Sequence, residues 1–520
     1  MRKFALHLIC AVVLLTASFA EAAGKAKHIV VVVWDGMRPD FISQEHTPTL
    51  YQLAQGGVMF RRHHSVYCTA TEVNGTAIAT GAYPAHSGII ANRDYRPELN
   101  ALKSIATESL GNIRRADELS QGHYLARLTT AEILQNAGLH TAVAGAKDVA
   151  LLADRNERPS DAPKGLTLFA GKTLPPSLRE RVVDSLGRFP RAADSKSLLP
   201  NAARDEWTTR ALLNQLWTNG VPAFSLLWLS EPDFSQHAAG PGSLKALAAV
   251  ESSDQNLAAV LKELDRRGLR DQTDVFVVSD HGFSTVEHKV DVCSELQKAG
   301  FAAQREFKQE PQNGEILVVG QGGSVLFYVI GHDAAVSRKL VEFLQQQPFS
   351  GVIFSREPME GTFTLAQANL NSAHAPDVAV SLRWSEQKSD TGAPGLYYCD
   401  GGRKPGEGSH ASLSRFDLRN ILVGAGPDLK QGFADDLPTG NTDLAPTILW
   451  LFGVKQPESM DGRVLSEALV TDAPPAGQST TRRLEANRKI GESVWHQYLQ
   501  ISQVNDTIYF DEGNGHLAEP

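Results

Sequence analysis

The 520-residue sequence predicts an α/β fold in which a mostly parallel central sheet is covered by helices on both faces. Unbroken apolar runs that end in polar residues occur at 28–38, 223–237 and 274–283. Helical patterns lie between these runs, for example at 243–268, where Gly268 would end the helix. Apolar strands that alternate with amphipathic helices are typical of a parallel sheet buried on both faces.

The first predicted strand, HIVVVVW, is followed directly by Asp35 and Gly36. The next two apolar runs bring Asp233 and Asp280 to the equivalent position, and a fourth run at 418–428 follows a loop that contains His410. Ligands in such sheets bind beyond the carboxyl ends of the strands. We therefore expect these three carboxylates to lie together at one edge of the sheet.

The N-terminal residues 1–22 have the pattern of a signal peptide. A positive start with Arg2 and Lys3 precedes a short apolar run and the small residues at 20–22. This pattern predicts export to a periplasm or secretion, and no later segment is long and uncharged enough to span a membrane. Removal of Cys10 with the signal leaves Cys68, Cys293 and Cys399, which allow at most one internal disulfide, so the core must stabilise the fold.

The rest of the chain, 23–520, is expected to form a single metallohydrolase domain with insertions at about 94–210 and 300–375 that cap or flank the site. The segment 480–500 has a helical pattern and is expected to pack against the core or to mediate self-association. The formal net charge is −9, and the sequence contains no run of Lys and Arg. Binding to a nucleic-acid polymer is therefore not indicated, and the oligomeric state is left open.

Three carboxylates and three imidazoles occur at the predicted strand ends. This mixture of oxygen and nitrogen ligands favours zinc or a similar divalent ion, whereas a calcium site would not need imidazoles. Six ligands are too many for one tetrahedral ion and suit two ions, provided that a further oxygen completes a site. The six residues are Asp35, Asp233, His237, Asp280, His281 and His410.

These residues belong to short motifs with a characteristic order. The motifs are DG at 35–36, Thr71 nine residues before Thr80, GIIAN at 88–92, EPDFSQH at 231–237, SDHG at 279–282 and GSH at 408–410. Their order and spacing resemble the nucleotide pyrophosphatase/phosphodiesterase branch of the alkaline phosphatase superfamily. The stretch NTDLAPTILWLFGV at 441–454 is similar to the closing helix of that family.

The resemblance implies that Thr71 is the nucleophile of a two-metal phosphoester hydrolase that forms a covalent phospho-threonine. It also implies that two divalent ions, expected to be zinc, are held by two groups of residues. Direct coordination to a metal lowers the pKa of a threonine hydroxyl, which is otherwise a poor nucleophile. The first group is Asp35, Thr71, Asp280 and His281, and the second is Asp233, His237 and His410.

Two further residues have roles that the resemblance implies. Asn92, the last residue of GIIAN, is expected to donate a hydrogen bond to a non-bridging phosphoryl oxygen. Lys147 is a candidate because phosphonate hydrolases and one group of phosphomonoesterases in the superfamily have a lysine at a similar point. Those monoesterases have an arginine two residues later, where this chain has Val149.

The resemblance therefore favours a small phosphodiester or a nucleotide pyrophosphate as substrate. A phosphomonoester or a phosphonate is the alternative within the same superfamily, and a non-catalytic metal-binding protein is a further one. Cys68 lacks the proline and arginine that follow the cysteine of sulfatases, so a buried structural thiol is expected there. Thr76 and Thr80 are four residues apart on the helix expected after Thr71, and local hydrogen bonds are expected for both.

Overall fold

The computed structural model describes residues 24–155, 164–191, 199, 201–470, 473 and 475–518. The predicted signal peptide lies outside these residues. No helix in the described part of the chain is long and apolar enough to cross a membrane.

The described residues contain thirteen α-helices, and most of them lie between consecutive strands of the chain. The helices are α1 (Pro48–Gly56), α2 (Thr71–Thr80), α3 (Pro84–Ser87), α4 (Leu110–Ser120), α5 (Thr130–Asn136), α6 (Leu178–Leu186), α7 (Ala202–Ala211), α8 (Asp233–Ala239), α9 (Leu244–Arg266), α10 (Val292–Lys298), α11 (Ala334–Leu344), α12 (Arg415–Leu418) and α13 (Leu444–Leu451).

The strands form one large central sheet and several smaller sheets. They are β1 (His28–Trp34), β2 (Val58–Phe60), β3 (His63–His64), β4 (Arg93–Asp94), β5 (Ile105–Ala106), β6 (Thr141–Gly145), β7 (Gly165–Phe169), β8 (Lys172–Leu174), β9 (Phe224–Leu229), β10 (Thr273–Val278), β11 (Ser284–Val290), β12 (Ala303–Gln304), β13 (Ile316–Gly320), β14 (Ser324–Val329), β15 (Ser350–Ser355), β16 (Phe363–Thr364), β17 (Val378–Leu382), β18 (Trp384–Lys388), β19 (Pro394–Asp400), β20 (Gly408–Ser409), β21 (Leu422–Ala425), β22 (Phe433–Asp435), β23 (Thr439–Gly440), β24 (Ser479–Ile490), β25 (Ser493–Val504) and β26 (Thr507–Ala518).

The central sheet has nine strands in the order β22-β2-β21-β10-β1-β9-β6-β7-β8. Its middle strands β10, β1, β9, β6 and β7 are all parallel, and β1 pairs Val31 with Phe276 on one side and with Leu226 on the other. Strand β21 is antiparallel to β10, and β8 is antiparallel to β7. The predicted α/β fold with a mostly parallel sheet is confirmed.

Strand β1 shows why the sheet is covered on both sides. Side chains alternate along a strand, and here both sets are apolar and fully buried. Ile29, Val31 and Val33 pack into a core to which α2, α4, α5 and α13 contribute. Val30 and Val32 pack into a second core, which contains residues of α1, α6, α7 and α9. An unbroken apolar strand of this kind requires a helix layer on each face.

The segments expected to be insertions have two different structures. Within 94–210, β6 pairs with β9 and β7 pairs with β6, so this segment supplies three strands of the central sheet itself. The sheet therefore extends into a segment for which the sequence predicts a cap. Within 300–375, five strands belong to a second, six-stranded sheet with the order β12-β13-β14-β17-β15-β16.

The prediction of a helix at 480–500 is wrong, because this segment forms β24 and most of β25. These strands and β26 form an antiparallel sheet of three strands, called here the C-terminal meander. Its side chains follow a period of two, with Trp495, Gln497 and Leu499 buried and the residues between them partly exposed. Gly491, with a φ of 64°, lies in the tight turn that joins β24 to β25. The meander packs on the core beside β15, where Gln497 Nε2 donates to the carbonyl of Ile353 at 3.1 Å.

Candidate active site

The site lies at the edge of the central sheet where the parallel strands end. Asp35 follows β1, Asp233 follows β9 at the start of α8, and Asp280 follows β10. All three are buried, with exposed fractions of 0 to 3%. Because β21 runs antiparallel, its beginning lies at this same edge, which explains how His410, a residue that precedes its strand, reaches the site.

The three imidazoles are oriented in the same way, with Nε2 towards the carboxylates and Nδ1 against a backbone carbonyl. A carbonyl only accepts, so Nδ1 carries the hydrogen and Nε2 presents its lone pair to the site. Metal-ligating histidines are typically held like this. The Nδ1 contacts are His237 to Gly408 O at 2.9 Å, His281 to Gly282 O at 2.8 Å and His410 to Thr69 O at 2.9 Å.

The first group of side chains surrounds His281. Its Nε2 lies 3.2 Å from Asp280 Oδ2, 3.2 Å from Thr71 Oγ1 and 3.8 Å from Asp35 Oδ1. The structure therefore brings together the four residues expected to hold one metal. Ligand atoms of Asp35, His281 and Asp233 also lie within 4.8 Å of one another, so Asp233 is close to this group as well.

The second group of side chains surrounds Asp233. Its Oδ1 lies 3.3 Å from His237 Nε2 and 3.7 Å from His410 Nε2. The rings of His281 and His410 are stacked with their centroids 3.8 Å apart, which places the two groups side by side. Phe283 packs its ring 4.9 Å from that of His237 and 5.3 Å from that of His410.

These residues fit a pair of divalent cations. Asp35 Oδ1, Asp233 Oδ1 and Asp280 Oδ2 are buried and accept no hydrogen bond from the described residues. A buried carboxylate oxygen without a partner is costly. Three such oxygens that face three imidazole lone pairs form a set of ligands of the kind that zinc prefers.

The pKa values of the three carboxyl groups show that the cluster holds more negative charge than its surroundings neutralise. Burial, followed by the charge of Asp280, raises the pKa of Asp35 to about 8. Burial likewise raises the pKa of Asp280 to about 7. Burial alone would raise the pKa of Asp233 too, but Lys147 and His237 hold it well below its usual value. Added positive charge therefore stabilises the ionised cluster.

Lys147 also lies within the site. It follows β6 at the same edge of the sheet, and its Nζ lies 2.8 Å from Asp35 Oδ2 and 3.0 Å from Asp233 Oδ2. Two residues later, Val149 is buried in the core and 2% exposed. The position that carries an arginine in the related monoesterases thus gives no polar side chain to this site.

Thr71 is the first residue of α2 and is 2% exposed. The start of a helix carries partial positive charge, which favours a nucleophile that gains negative charge. Asn92 Oδ1 accepts a hydrogen bond from the backbone N–H of Glu72 at 3.1 Å. The Nδ2 of Asn92 has no bond to the described residues, so its hydrogens are available beside the start of α2.

Other candidate side chains of the sequence have structural partners. Cys68, Cys293 and Cys399 are buried free thiols. Thr76 and Thr80 donate to the carbonyls four residues earlier, at 2.7 Å each, as expected.

The sequence assigns no site role to two residues that contact the proposed ligands. Trp228, in the apolar strand β9, donates its indole N–H to Asp35 Oδ2 at 2.8 Å. Asn441 donates through Nδ2 to the carbonyl oxygen of Asp280 at 2.7 Å. Both residues come close to the site only through long-range packing, so no local pattern identifies them.

A profile of the family described as "Type I phosphodiesterase / nucleotide pyrophosphatase" matches residues 29–363, more than half of the chain. The chain belongs to this family. The match confirms the resemblance found in the motifs. It also places Thr71 and all but one of the six predicted carboxylate and imidazole ligands inside the matched region, His410 being the exception.

Individual relatives extend the match beyond that region. Ectonucleotide pyrophosphatase/phosphodiesterase family member 7 of Rattus norvegicus is 22% identical over 86% of this chain and 89% of its own length. Bis(5'-adenosyl)-triphosphatase of Xenopus laevis is 24% identical over 49% of this chain, which spans about half of that relative, 47%. Murine ectonucleotide pyrophosphatase/phosphodiesterase 5, solved as an inactive variant in complex with AMP, has a TM-score of 0.60 and 16% identity over 85% of this chain and 100% of its own. The last likeness concerns the fold alone.

Proposed function

We propose that the chain is an exported hydrolase that uses two divalent metal ions to cleave phosphodiester or nucleotide pyrophosphate bonds through Thr71. The observation that carries this proposal is the position of Thr71 Oγ1, 3.2 Å from His281 Nε2 at the edge of the carboxylate and imidazole cluster. Family membership and the names of the relatives, which include a bis(5'-adenosyl)-triphosphatase, support a small nucleotide or diester substrate.

The two groups of ligands are proposed as two metal sites. One consists of Asp35, Thr71, Asp280 and His281, and the other of Asp233, His237 and His410. The ligand types suit zinc. Two bound divalent ions would lower the pKa of a coordinated hydroxyl and neutralise charge on the phosphoryl oxygens.

Thr71 is proposed to attack the phosphorus through Oγ1. The new bond joins Oγ1 to phosphorus, and the bond between phosphorus and the leaving-group oxygen breaks. Water then cleaves the phospho-threonine, which returns the hydroxyl and releases the phosphoryl product. The N-terminal end of α2 and the free Nδ2 of Asn92 are placed to stabilise negative charge on the non-bridging oxygens.

The identity of the residues near the site favours a diester over a monoester. A terminal phosphate carries an additional negative charge, which calls for a further cation. Val149 is buried where the related monoesterases have an arginine, and Lys147 already pairs with Asp35 and Asp233. A second candidate is a phosphonate or phosphomonoester substrate. The presence of Lys147 in the site favours it, because hydrolases of such substrates in the superfamily have a lysine at a similar point.

The test compares metal-loaded wild type with Thr71→Ala on bis-p-nitrophenyl phosphate, p-nitrophenyl phosphate and a nucleotide p-nitrophenyl ester. Metal content is measured on the same samples. Faster turnover of the diesters by wild type, with loss of turnover but not of metal in Thr71→Ala, supports the proposal. Faster turnover of p-nitrophenyl phosphate than of the diesters points to the second candidate. Full activity of Thr71→Ala contradicts the proposed role of Thr71 as nucleophile.

Export is proposed from the signal pattern at 1–22, and the destination is a periplasm or the medium. The check is N-terminal sequencing of the protein recovered from each cell fraction. A mature chain that begins near residue 23 in the exported fraction supports the proposal, and an intact N-terminus in the cytoplasm contradicts it.

A further inference from the structure

Asn441 lies outside the two ligand groups but contacts the backbone of one of them. It is fully buried in a short 3-10 turn that leads into α13. Its Nδ2 donates to the carbonyl oxygen of Asp280 at 2.7 Å and to Asn74 Oδ1 at 3.0 Å. Asp280 is a proposed metal ligand, and Asn74 lies on α2 three residues after Thr71. One amide group therefore links the loop after β10 to the helix of the nucleophile.

The amide oxygen of Asn441 is also hydrogen-bonded. Asn441 Oδ1 accepts from His63 Nε2 at 2.9 Å and from Asn420 Nδ2 at 3.2 Å. Burial lowers the pKa of His63 to about 3, so this imidazole is neutral. Its Nε2 carries the hydrogen, while its Nδ1, 2.9 Å from Thr439 Oγ1, accepts. All four hydrogen-bonding positions of the amide are used, which fixes its orientation.

Asn74 carries the constraint to the residues around Thr71. Its Oδ1 also accepts from the backbone N–H of Val66 at 2.7 Å. Its Nδ2 donates to the carbonyls of Val66 at 3.1 Å and of Ala70, the residue before Thr71, at 3.2 Å. The segment that enters α2 and the first turn of this helix are thus tied to one side chain, and Asn441 joins that side chain to Asp280.

We propose that Asn441 is a positioning residue that sets the distance between Asp280 and Thr71. This inference rests on the proposed function, in which both residues act on the same metal. Hydrogen bonds behind a ligand orient it, and their removal typically costs about 10- to 100-fold in metal affinity or activity. Since the bond to Asp280 comes from Nδ2, an aspartate at this position would place an acceptor against a carbonyl oxygen.

A neighbouring buried network supplies a matched control. His64, the residue after His63, lies with Nε2 3.2 Å from Asp511 Oδ1 of the C-terminal meander. Asp511 also accepts from Ser502 at 2.7 Å and from Arg419 at 3.1 Å. Among the described residues, Asp511 makes no hydrogen bond to Asp280 or Asn74. Asp511→Asn therefore disturbs a buried network of similar size without loosening the proposed metal site.

The experiment compares wild type, Asn441→Asp, Asn441→Ala and Asp511→Asn. Metal affinity is measured by competition with a chelator, and kcat and KM are measured on bis-p-nitrophenyl phosphate. For both Asn441 variants we expect metal affinity and kcat to fall by about 10-fold or more, with KM within about threefold of wild type. Asp511→Asn is expected to lower the unfolding temperature while it keeps metal affinity and kcat. Asn441→Ser, which retains one donor, is measured with them in case the other variants do not fold.

Two results would overturn the inference. The first is a folded Asn441 variant with the metal affinity and kcat of wild type. The second is an equal loss of metal affinity and kcat in Asp511→Asn, which would show that general destabilisation causes the losses in the Asn441 variants. If wild type cleaves no phosphoester, the proposed function fails, but the chelator competition still decides whether Asn441 positions the ligands.

Discussion

Lys147, with its side chain 18% exposed, and the buried Asp35 form an ion pair within the site, with Nζ 2.8 Å from Oδ2. Asp35 is fully buried, and the same ammonium lies 3.0 Å from Asp233 Oδ2. Burial alone would lower the pKa of Lys147, but Asp233 and Asp35 raise it well above its usual value. Lys147 therefore remains charged and neutralises part of a carboxylate cluster that divalent ions would neutralise further.

This ion pair predicts that Lys147→Met destabilises the metal-free protein more than the metal-loaded protein. Removal of one partner of a buried pair typically costs about 3–5 kcal/mol, because the other charge stays buried and unpaired. Bound zinc would supply the missing charge. The measurement is the unfolding temperature of wild type and variant in chelator and in zinc.

Lys172→Met is the control for this prediction, since Lys172 pairs with Asp148 at the surface, at 3.0 Å and with its side chain 53% exposed. A surface pair contributes little, so the control is expected to change the unfolding temperature only slightly in both conditions. Equal losses for Lys147→Met with and without zinc would contradict a charge-neutralising role.

The second prediction concerns the division of the ligands into two groups. Among the described residues, the side chain of His237 contacts Asp233 and His410 of the second group and no side chain of the first. We expect His237→Ala to reduce bound zinc from about two ions to about one per chain and to reduce turnover strongly. Elemental analysis of the dialysed protein measures the metal. His46→Ala, which alters a histidine paired with Glu251 at 2.8 Å, is the control, and an unchanged metal content in His237→Ala would argue against the proposed ligand set.

The residues at the ends of β1, β9 and β10 could be predicted because their signal is local. Each follows an apolar run, and the carboxyl ends of parallel strands meet at one edge. His410 follows no such run. It precedes the antiparallel strand β21, and its signal in the sequence is a histidine in the loop before the fourth apolar run.

The parts that could not be predicted depend on contacts between distant segments. Asn441 and Asp280 are 161 residues apart in the chain. The stretch 441–454 resembles the closing helix of the family, but nothing in it indicates that its first residue contacts Asp280. The segment 480–500 resembles a helix in sequence because β24 has four basic residues and few apolar ones. Within β24, the period of two shows in the structure, where Leu484 and Ala486 pack at the edge of a core.

The third prediction separates two roles of Asn92. Asn92→Ala removes both the acceptor for the backbone of Glu72 and the free Nδ2. Asn92→Asp keeps the acceptor but replaces the donor by negative charge. If Nδ2 donates to the phosphoryl group, both variants should lose about 100-fold or more in kcat/KM. Retention of activity by Asn92→Asp would show that the residue only anchors α2. Asn112→Ala, which removes a bond to the carbonyl of Ala106, is the control.

The last prediction uses a buried carboxyl group away from the site. Asp274 is fully buried in β10, and its Oδ1 accepts from the backbone N–H of Asp428 at 3.2 Å. Burial, followed by the charge of Asp428, raises the pKa of Asp274 to about 8. Asp428 in turn accepts from the backbone N–H groups of Lys25 at 2.6 Å and Ala26 at 2.8 Å, which holds the chain before β1.

A folded-state pKa above the unfolded value of about 3.9 means that the folded protein binds more protons between these two values. The free energy of unfolding therefore decreases as pH rises through this window, by up to about 1.4 kcal/mol per pH unit. Asp274→Asn cannot ionise, so its advantage over wild type should grow between pH 5 and pH 8 and then stay constant. Urea unfolding in chelator, with the exposed Asp271→Asn as control, measures this difference. A constant difference across pH 5 to 8 would show that Asp274 ionises normally, in which case the fully buried carboxylate must be stabilised by contacts beyond the backbone of Asp428.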